Sequence, residues 1–233
     1  MHSNFLLRIL SSVIALPCVL YAIYDGSYIY MALLFVVFTI ALYEWISMPF
    51  AAAGRIAYNA GGKSAKRRAI IAYVEYLVFG LLMLLSFASS LIYIRSFANG
   101  FSVLLWMLLV VWSTDIFAYI GGNIAKGARL APKISPGKRW SGFIIGIVSA
   151  VIVSYYAREL VHELMPYRWS YICVAVVLSL LVQVGDLYES FVKRKYGVKD
   201  SGNIIPGHGG MLDRIDGLIF ASIFFATYIR LCG

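Results

Sequence analysis

FSVLLWMLLVVWSTDIFAYI, residues 101–120, is the stretch on which the fold turns. One charged side chain, Asp115, interrupts residues that are otherwise apolar, aromatic or small and hydroxylated. A hydrocarbon core about 30 Å thick is crossed by roughly 20 such residues in helical form. The pattern recurs along the chain. Phe5–Tyr24, Tyr28–Met48, Ala69–Ile94, Phe101–Ile120, Ser141–Ala157, Trp169–Tyr188 and Ile215–Leu231 are all predicted spans. Ala69–Ile94 is long enough to tilt, to bend near Ser86–Ser90, or to be a tight pair. Of 233 residues, 61% are hydrophobic and 13% charged, with a mean hydropathy of +0.82. Soluble domains are about a quarter charged, so too little polar sequence remains here to cover a surface in water. The expected fold is an all-α polytopic integral membrane protein with about seven transmembrane helices.

The basic residues orient it. With the N-terminus cytoplasmic and the spans alternating, sixteen of the twenty lysines and arginines fall in inner segments. Arg95, Arg158, Arg168 and Arg230 alone fall outside. This is the asymmetry of the positive-inside rule, and it accounts for the net charge of +9 without nucleic acid. Residues 51–68, with Gly61-Gly62 and a basic cluster, read as a cytoplasmic linker able to meet anionic headgroups. Cys18, Cys173 and Cys232 stand singly in or beside apolar runs, which points to no disulfide framework and no thiolate metal site. No Ala-x-Ala-like cleavage site follows the first span, so that span reads as retained.

Ionisable residues inside spans are costly and ask for a reason. Glu44, Glu75, Asp115, Asp186, Glu189, Asp213 and Asp216 all fall toward the cytoplasmic half of this topology. Asp186 and Glu189 are three residues apart, as are Asp213 and Asp216, so each pair shares a helical face. Carboxylate oxygens on neighbouring helices suit Mg²⁺. The plainer reading of Asp213 is a helix cap, with Arg214 snorkelling to the interface. The whole set favours a metal site.

Between these acids runs KDSGNIIPGHGGMLDRID, Lys199 to Asp216. Gly207, Gly209 and Gly210 would let backbone N–H groups approach an anion at a helix N-terminus. Lys193, Arg194, Lys199 and Arg214 add positive charge. His208 is a phosphate donor, a proton carrier or an ordinary loop histidine. On the same side, the loop KISPGKRWSG, Lys133 to Gly142, together with Lys126 before it, offers Lys126, Lys133, Lys138 and Arg139 either to a polyphosphate or to positive-inside anchoring.

These residues carry a resemblance. SFVKRKYGVKDSGNIIPGHGGMLDRID, Ser190 to Asp216, resembles the signature of phosphatidate cytidylyltransferases (CDP-diacylglycerol synthases) and satisfies it at every fixed position. Gly185-Asp186-Leu187, Glu189-Ser190 and Asp115 with Ala118-Tyr119 and Gly121-Gly122 are similar to that family's spans. The likeness runs from about Trp112 to Asp216. The earlier loop departs from the usual Ser-Pro-Lys-Lys-Thr-x-Glu-Gly, having Gly137, Lys138, Arg139, Trp140, Ser141 and Gly142 after Ser135-Pro136. The resemblance therefore carries Ser135 and Lys138 as phosphate contacts, with Arg139, Lys133 and Asp115 as supporting residues.

The resemblance implies an Mg²⁺-dependent transfer of a cytidylyl group from CTP to phosphatidate in the bacterial inner membrane, by a homodimer facing the cytoplasm. A second, monovalent cation is compatible with it. Asp186 and Asp213 would hold metal, with Asp216 and Glu189 completing a second site. Lys199, Asp200, His208 and Arg214 join them as catalytic candidates, and Lys193, Arg194, Gly207, Gly209 and Gly210 as substrate contacts. Residues 1–100 would then be structural helices serving lipid access or dimer contacts, and residues 101–233 the catalytic domain. The neighbouring alternatives are a CTP-dependent enzyme on an isoprenoid lipid (a CDP-archaeol synthase or a polyprenol kinase) and, in another class, a transporter. A transporter would place its acids at the midplane between repeats; here they gather at one interface and no repeat is evident.

Overall fold

Among the described residues, the apolar runs become seven α-helices. A computed structural model describes residues 2–59, 63–204 and 209–232. The helices are α1 (His2–Asp25), α2 (Tyr28–Asn59), α3 (Lys63–Arg95), α4 (Gly100–Ala125), α5 (Trp140–Tyr156), α6 (Arg168–Lys195) and α7 (Leu212–Cys232). Segments of α2, α3, α4, α6 and α7 are long and apolar enough to cross a membrane, and α5 is a shorter apolar helix of 17 residues. The chain is an all-α polytopic membrane protein. Cys18, Cys173 and Cys232 are free and exposed, as lipid-facing residues would be.

The third span, left open in the sequence as one helix or a tight pair, is one helix. Two details differ from expectation. The stretch read as a linker, residues 51–68, is largely helical, because α2 runs on to Asn59 and α3 begins at Lys63. Ala51-Ala52-Ala53 at one end and Lys63 to Arg68 at the other are strong helix formers, and a polar composition does not by itself stop a helix. Gly61-Gly62 lie outside the described residues. The loop Lys133–Gly142 contains a strand: β1 (Arg129–Ala131) pairs antiparallel with β2 (Ser135–Arg139), Ala131 opposite Ser135 and Arg129 opposite Arg139. Lys126 (φ 53°) and Gly127 (φ 94°) end α4 in left-handed backbone and turn the chain into this hairpin.

The chain divides into two compact units, Met1–Ala88 with Val192–Arg214, and Ser89–Phe191 with Ile215–Gly233. In the first, Trp45 of α2 stacks on Tyr76 of α3 with ring centroids 4.3 Å apart and an interplanar angle of 7°. Trp45 Nε1 donates to the Tyr76 carbonyl at 3.1 Å, and the Tyr76 hydroxyl donates to the Trp45 carbonyl at 3.0 Å. The reciprocal pair satisfies both polar atoms away from water. Tyr196, from the end of α6, meets the edge of Tyr76 at 4.9 Å.

In the second unit the helices meet backbone to backbone at small residues, as lipid-embedded helices do where no hydrophobic force draws them together. Ser149 Oγ of α5 donates to the Ser113 carbonyl of α4 at 3.1 Å, and Gln183 Nε2 of α6 to the Phe143 carbonyl of α5 at 3.2 Å. The crossing of α6 and α7 is the tightest for function. A Cβ on Gly185 would lie 2.6 Å from the Asp216 carbonyl oxygen, and one on Gly217 would lie 2.8 Å from Val182. Asp186 and Asp216 therefore flank the point where the two helices touch.

Gly185→Val should push these helices apart and destabilise the protein by about 1–3 kcal/mol or more. At about 2–4 °C per kcal/mol for a chain of this size, melting in detergent should fall by several degrees. Gly137→Ala, whose Cβ would meet nothing within 4 Å, should melt as wild type does. Equal melting of the two variants would show that the crossing is not close.

Candidate active site

In the first unit the site is built on the end of α6 and the start of α7. Lys193 Nζ lies 2.5 Å from Asp213 Oδ1, and each side chain is 12% exposed. The other Asp213 oxygen accepts the backbone N–H of Ser201 at 3.1 Å and of Gly210 at 2.9 Å. Asp213 is thus a lysine's partner and an acceptor for backbone N–H groups just before α7, a pairing the sequence reading did not offer. Its charge also sits in the first turn of α7, where the helix dipole favours an anion. Gly209 takes φ +85°, and a Cβ there would lie 3.1 Å from Asp213 Oδ2. Its conformation is what wraps the backbone around this carboxylate.

A second carboxylate, which the sequence reading left without a role, completes this corner. Glu44 of α2 is 1% exposed. It accepts the Ser201 hydroxyl at 3.0 Å and the backbone N–H groups of Met211 and Leu212 at 2.9 Å each. Gly202 and Gly210 leave room for it: a Cβ would come within 2.4 Å and 2.6 Å of its oxygens. The Gly210 backbone thus closely approaches the protein's own glutamate, and its N–H serves Asp213. Arg194, Lys199, Asp200 and Arg214 are exposed. Arg194 also donates to the Val198 carbonyl at 3.4 Å. Gly207 and His208 lie outside the described residues.

In the second unit the hairpin delivers Lys138 to α6. Its Nζ lies 2.6 Å from Asp186 Oδ2, with side chains 23% and 40% exposed. The carboxyls of Asp115 and Asp216 each interact electrostatically with both Asp186 and Lys138, so three acids and one lysine share this corner. Arg139 donates to the Gly127 carbonyl at 2.7 Å and Ser141 to the Lys126 carbonyl. Two of the three residues that depart from the family's usual loop, Arg139 and Ser141, therefore fasten this segment to the end of α4. Ser135 is half-buried in β2, Lys133 is exposed, and Glu189 is buried one turn beyond Asp186.

Among the described residues, no three His, Cys, Asp or Glu side chains converge as a ready-made metal ligand set. Mg²⁺ does not require one, since it is held through one or two carboxylates, water and substrate phosphates. The Asp186 and Asp216 carboxyls at the helix crossing fit that donor chemistry. Asp213 would have to release Lys193 to do the same.

Comparison with known proteins identifies the family. A phosphatidate cytidylyltransferase of Rickettsia bellii is 36% identical over 98% of this chain and 93% of its own length. One of Rickettsia felis is 33% identical over 97% and 93%. One of Brucella abortus is 48% identical over 53% of this chain and 45% of its own length. The family model described as the cytidylyltransferase family matches residues 61–232, taking in the whole of the Ser190–Asp216 motif. The chain belongs to the cytidylyltransferase family.

Proposed function

We propose that the protein transfers the cytidylyl group of CTP to phosphatidate, forming CDP-diacylglycerol and pyrophosphate for phospholipid synthesis. The observation that carries this is the Lys193–Asp213 couple inside the matched motif, a lysine and an acid held together at the polar end of apolar helices. The phosphatidate phosphate oxygen is already a nucleophile. It attacks the α-phosphorus of CTP, a new P–O bond forms, the bond from that phosphorus to the bridging oxygen breaks, and pyrophosphate leaves with the electron pair. No covalent enzyme intermediate is required, so the protein's work is positioning and charge neutralisation.

Lys138 and Lys193, each neutralised by an aspartate, are the lysines that would turn to phosphate oxygens when substrate arrives. Arg194, Lys199 and Arg214 supply further exposed cationic groups. Mg²⁺ held by Asp186 and Asp216 would supply neutralisation of phosphate charge that lysines alone do not complete. The basic inner segments and the headgroup chemistry support a site on the cytoplasmic face of a bacterial inner membrane. A homodimer is part of the same reading.

Detergent-purified protein given labelled CTP and phosphatidate should form CDP-diacylglycerol, and EDTA should abolish the product until Mg²⁺ is restored. Equal or better turnover of an isoprenoid lipid would overturn phosphatidate as the acceptor. Asp213→Asn should lower kcat/KM by about 100-fold or more. It should also cost stability, somewhat below the roughly 3–5 kcal/mol of a fully buried broken pair. The double variant Lys193→Met/Asp213→Asn should regain melting temperature but not activity. Recovery of both would make the couple structural only.

A further inference from the structure

We propose that Glu44 of α2 is a positioning residue for the transfer reaction, fixing Asp213 through Ser201 and through the first turn of α7. This rests on the reaction proposed above. Three donors converge on the Glu44 carboxylate, and all three are hydrogen-bond donors only in this arrangement: the Ser201 hydroxyl and the Met211 and Leu212 backbone N–H groups. An ionised carboxylate accepts and never donates, so it matches the set. Two of the donors are N–H groups at the start of α7, which have no intrahelical partner. Glu44 therefore caps the helix from 167 residues away in the sequence.

Ser201 makes the cap a relay. Its hydroxyl donates to Glu44, while its backbone N–H donates to Asp213. Gly210, whose N–H also donates to Asp213, has its Cα side pressed toward Ser201 Oγ and the Glu44 carboxylate, with no room for a Cβ. Both donors that aim Asp213 are thus seated against Glu44. The charge partner of Asp213 is Lys193, on the other carboxylate oxygen, so Glu44 governs the direction of the Asp213 carboxylate without carrying its charge balance. Trp45, the next residue, is locked to Tyr76 by two hydrogen bonds and a stacked ring, which gives Glu44 a rigid base. Misplacing a reacting group by about 1 Å can cost on the order of 100-fold in rate.

The test uses the full-length protein in detergent, with Glu44→Gln, Ser201→Ala and the double variant. Each is measured for melting temperature, for kcat and KM toward CTP, and for hydrogen exchange of the peptide holding Met211 and Leu212. Ser201→Ala keeps the backbone N–H and removes only the link to Glu44. We expect Glu44→Gln to lower kcat per folded molecule about tenfold or more, with KM within about twofold. Ser201→Ala should lower kcat in the same direction with unchanged melting, and the double variant should be no slower than Glu44→Gln. Exchange at Met211 and Leu212 should rise in Glu44→Gln. Wild-type kcat per folded molecule in every variant, or effects that multiply in the double variant, would overturn the proposal. Should Glu44→Gln fail to fold, Ser201→Ala decides by its kcat at wild-type melting. If wild-type protein makes no CDP-diacylglycerol, the proposed reaction is wrong, and with it the positioning role; the exchange data would then tell only whether Glu44 caps α7.

Discussion

A carboxylate withdrawn from water has to be answered by donors or by a cation, since an unanswered buried charge costs several kcal/mol. This protein answers it in three ways. Glu44 is met by neutral donors at a helix N-terminus, where backbone dipoles add to the hydrogen bonds. Asp213 is met by a lysine and two backbone N–H groups. Asp186, only partly withdrawn from water, is met by a lysine carried on a hairpin. The kind of answer sorts the acids by task. A carboxylate satisfied by backbone N–H groups holds structure in place, because those donors have nowhere else to go. A carboxylate satisfied by a lysine side chain can exchange its partner.

Backbone proximity sets where such acids stand. Lipid chains are as apolar as leucine, so helices in a bilayer associate through close packing and hydrogen bonds. At the α6–α7 crossing, Gly185 and Gly217 bring one helix against the carbonyl and side chain of the other. Each glycine is followed or preceded by an aspartate, Asp186 and Asp216, and the contact that binds the helices also brings the two carboxyls within electrostatic reach of each other. The mutual electrostatics of Asp115, Asp186 and Asp216 follow from that packing, with Lys138 as the compensating charge.

Local chemistry was legible in the sequence; distant partnership was not. The apolar runs announced the helices because length and hydropathy are properties of one segment. The motif from Ser190 to Asp216 announced its chemistry for the same reason, and the structure does pair Lys193 with Asp213 inside it. Residues 51–68 misled because their charge and glycines resemble a linker, while helix propensity, not polarity, governs the backbone there. The Ser135–Arg139 strand was hidden by its length and by Pro136 and Gly137, residues that read as turn. Glu44 was visible as an intramembrane acid. Its partners at 201, 211 and 212 could not be inferred, because nothing in α2 specifies which N-terminus it will meet. One signal did exist: Gly202 and Gly210 are glycines without positive φ, and in such places a missing side chain marks where something else comes close.

Charge balance gives the arrangement its final logic. A lysine–aspartate couple is neutral overall, so it can rest at the edge of an apolar medium without a large desolvation penalty. A triphosphate with a divalent cation is partly neutralised as well. In the proposed reaction, exchange between the two states would move partners without leaving charge unmatched: lysine would turn to phosphate, and the aspartate it leaves would face the positive charge that accompanies the nucleotide. Such an exchange is productive only if the aspartate keeps its direction while its partner changes. The N–H groups of Ser201 and Gly210 provide that constancy for Asp213, and Glu44, buried and satisfied by backbone, keeps those two residues in place through the change.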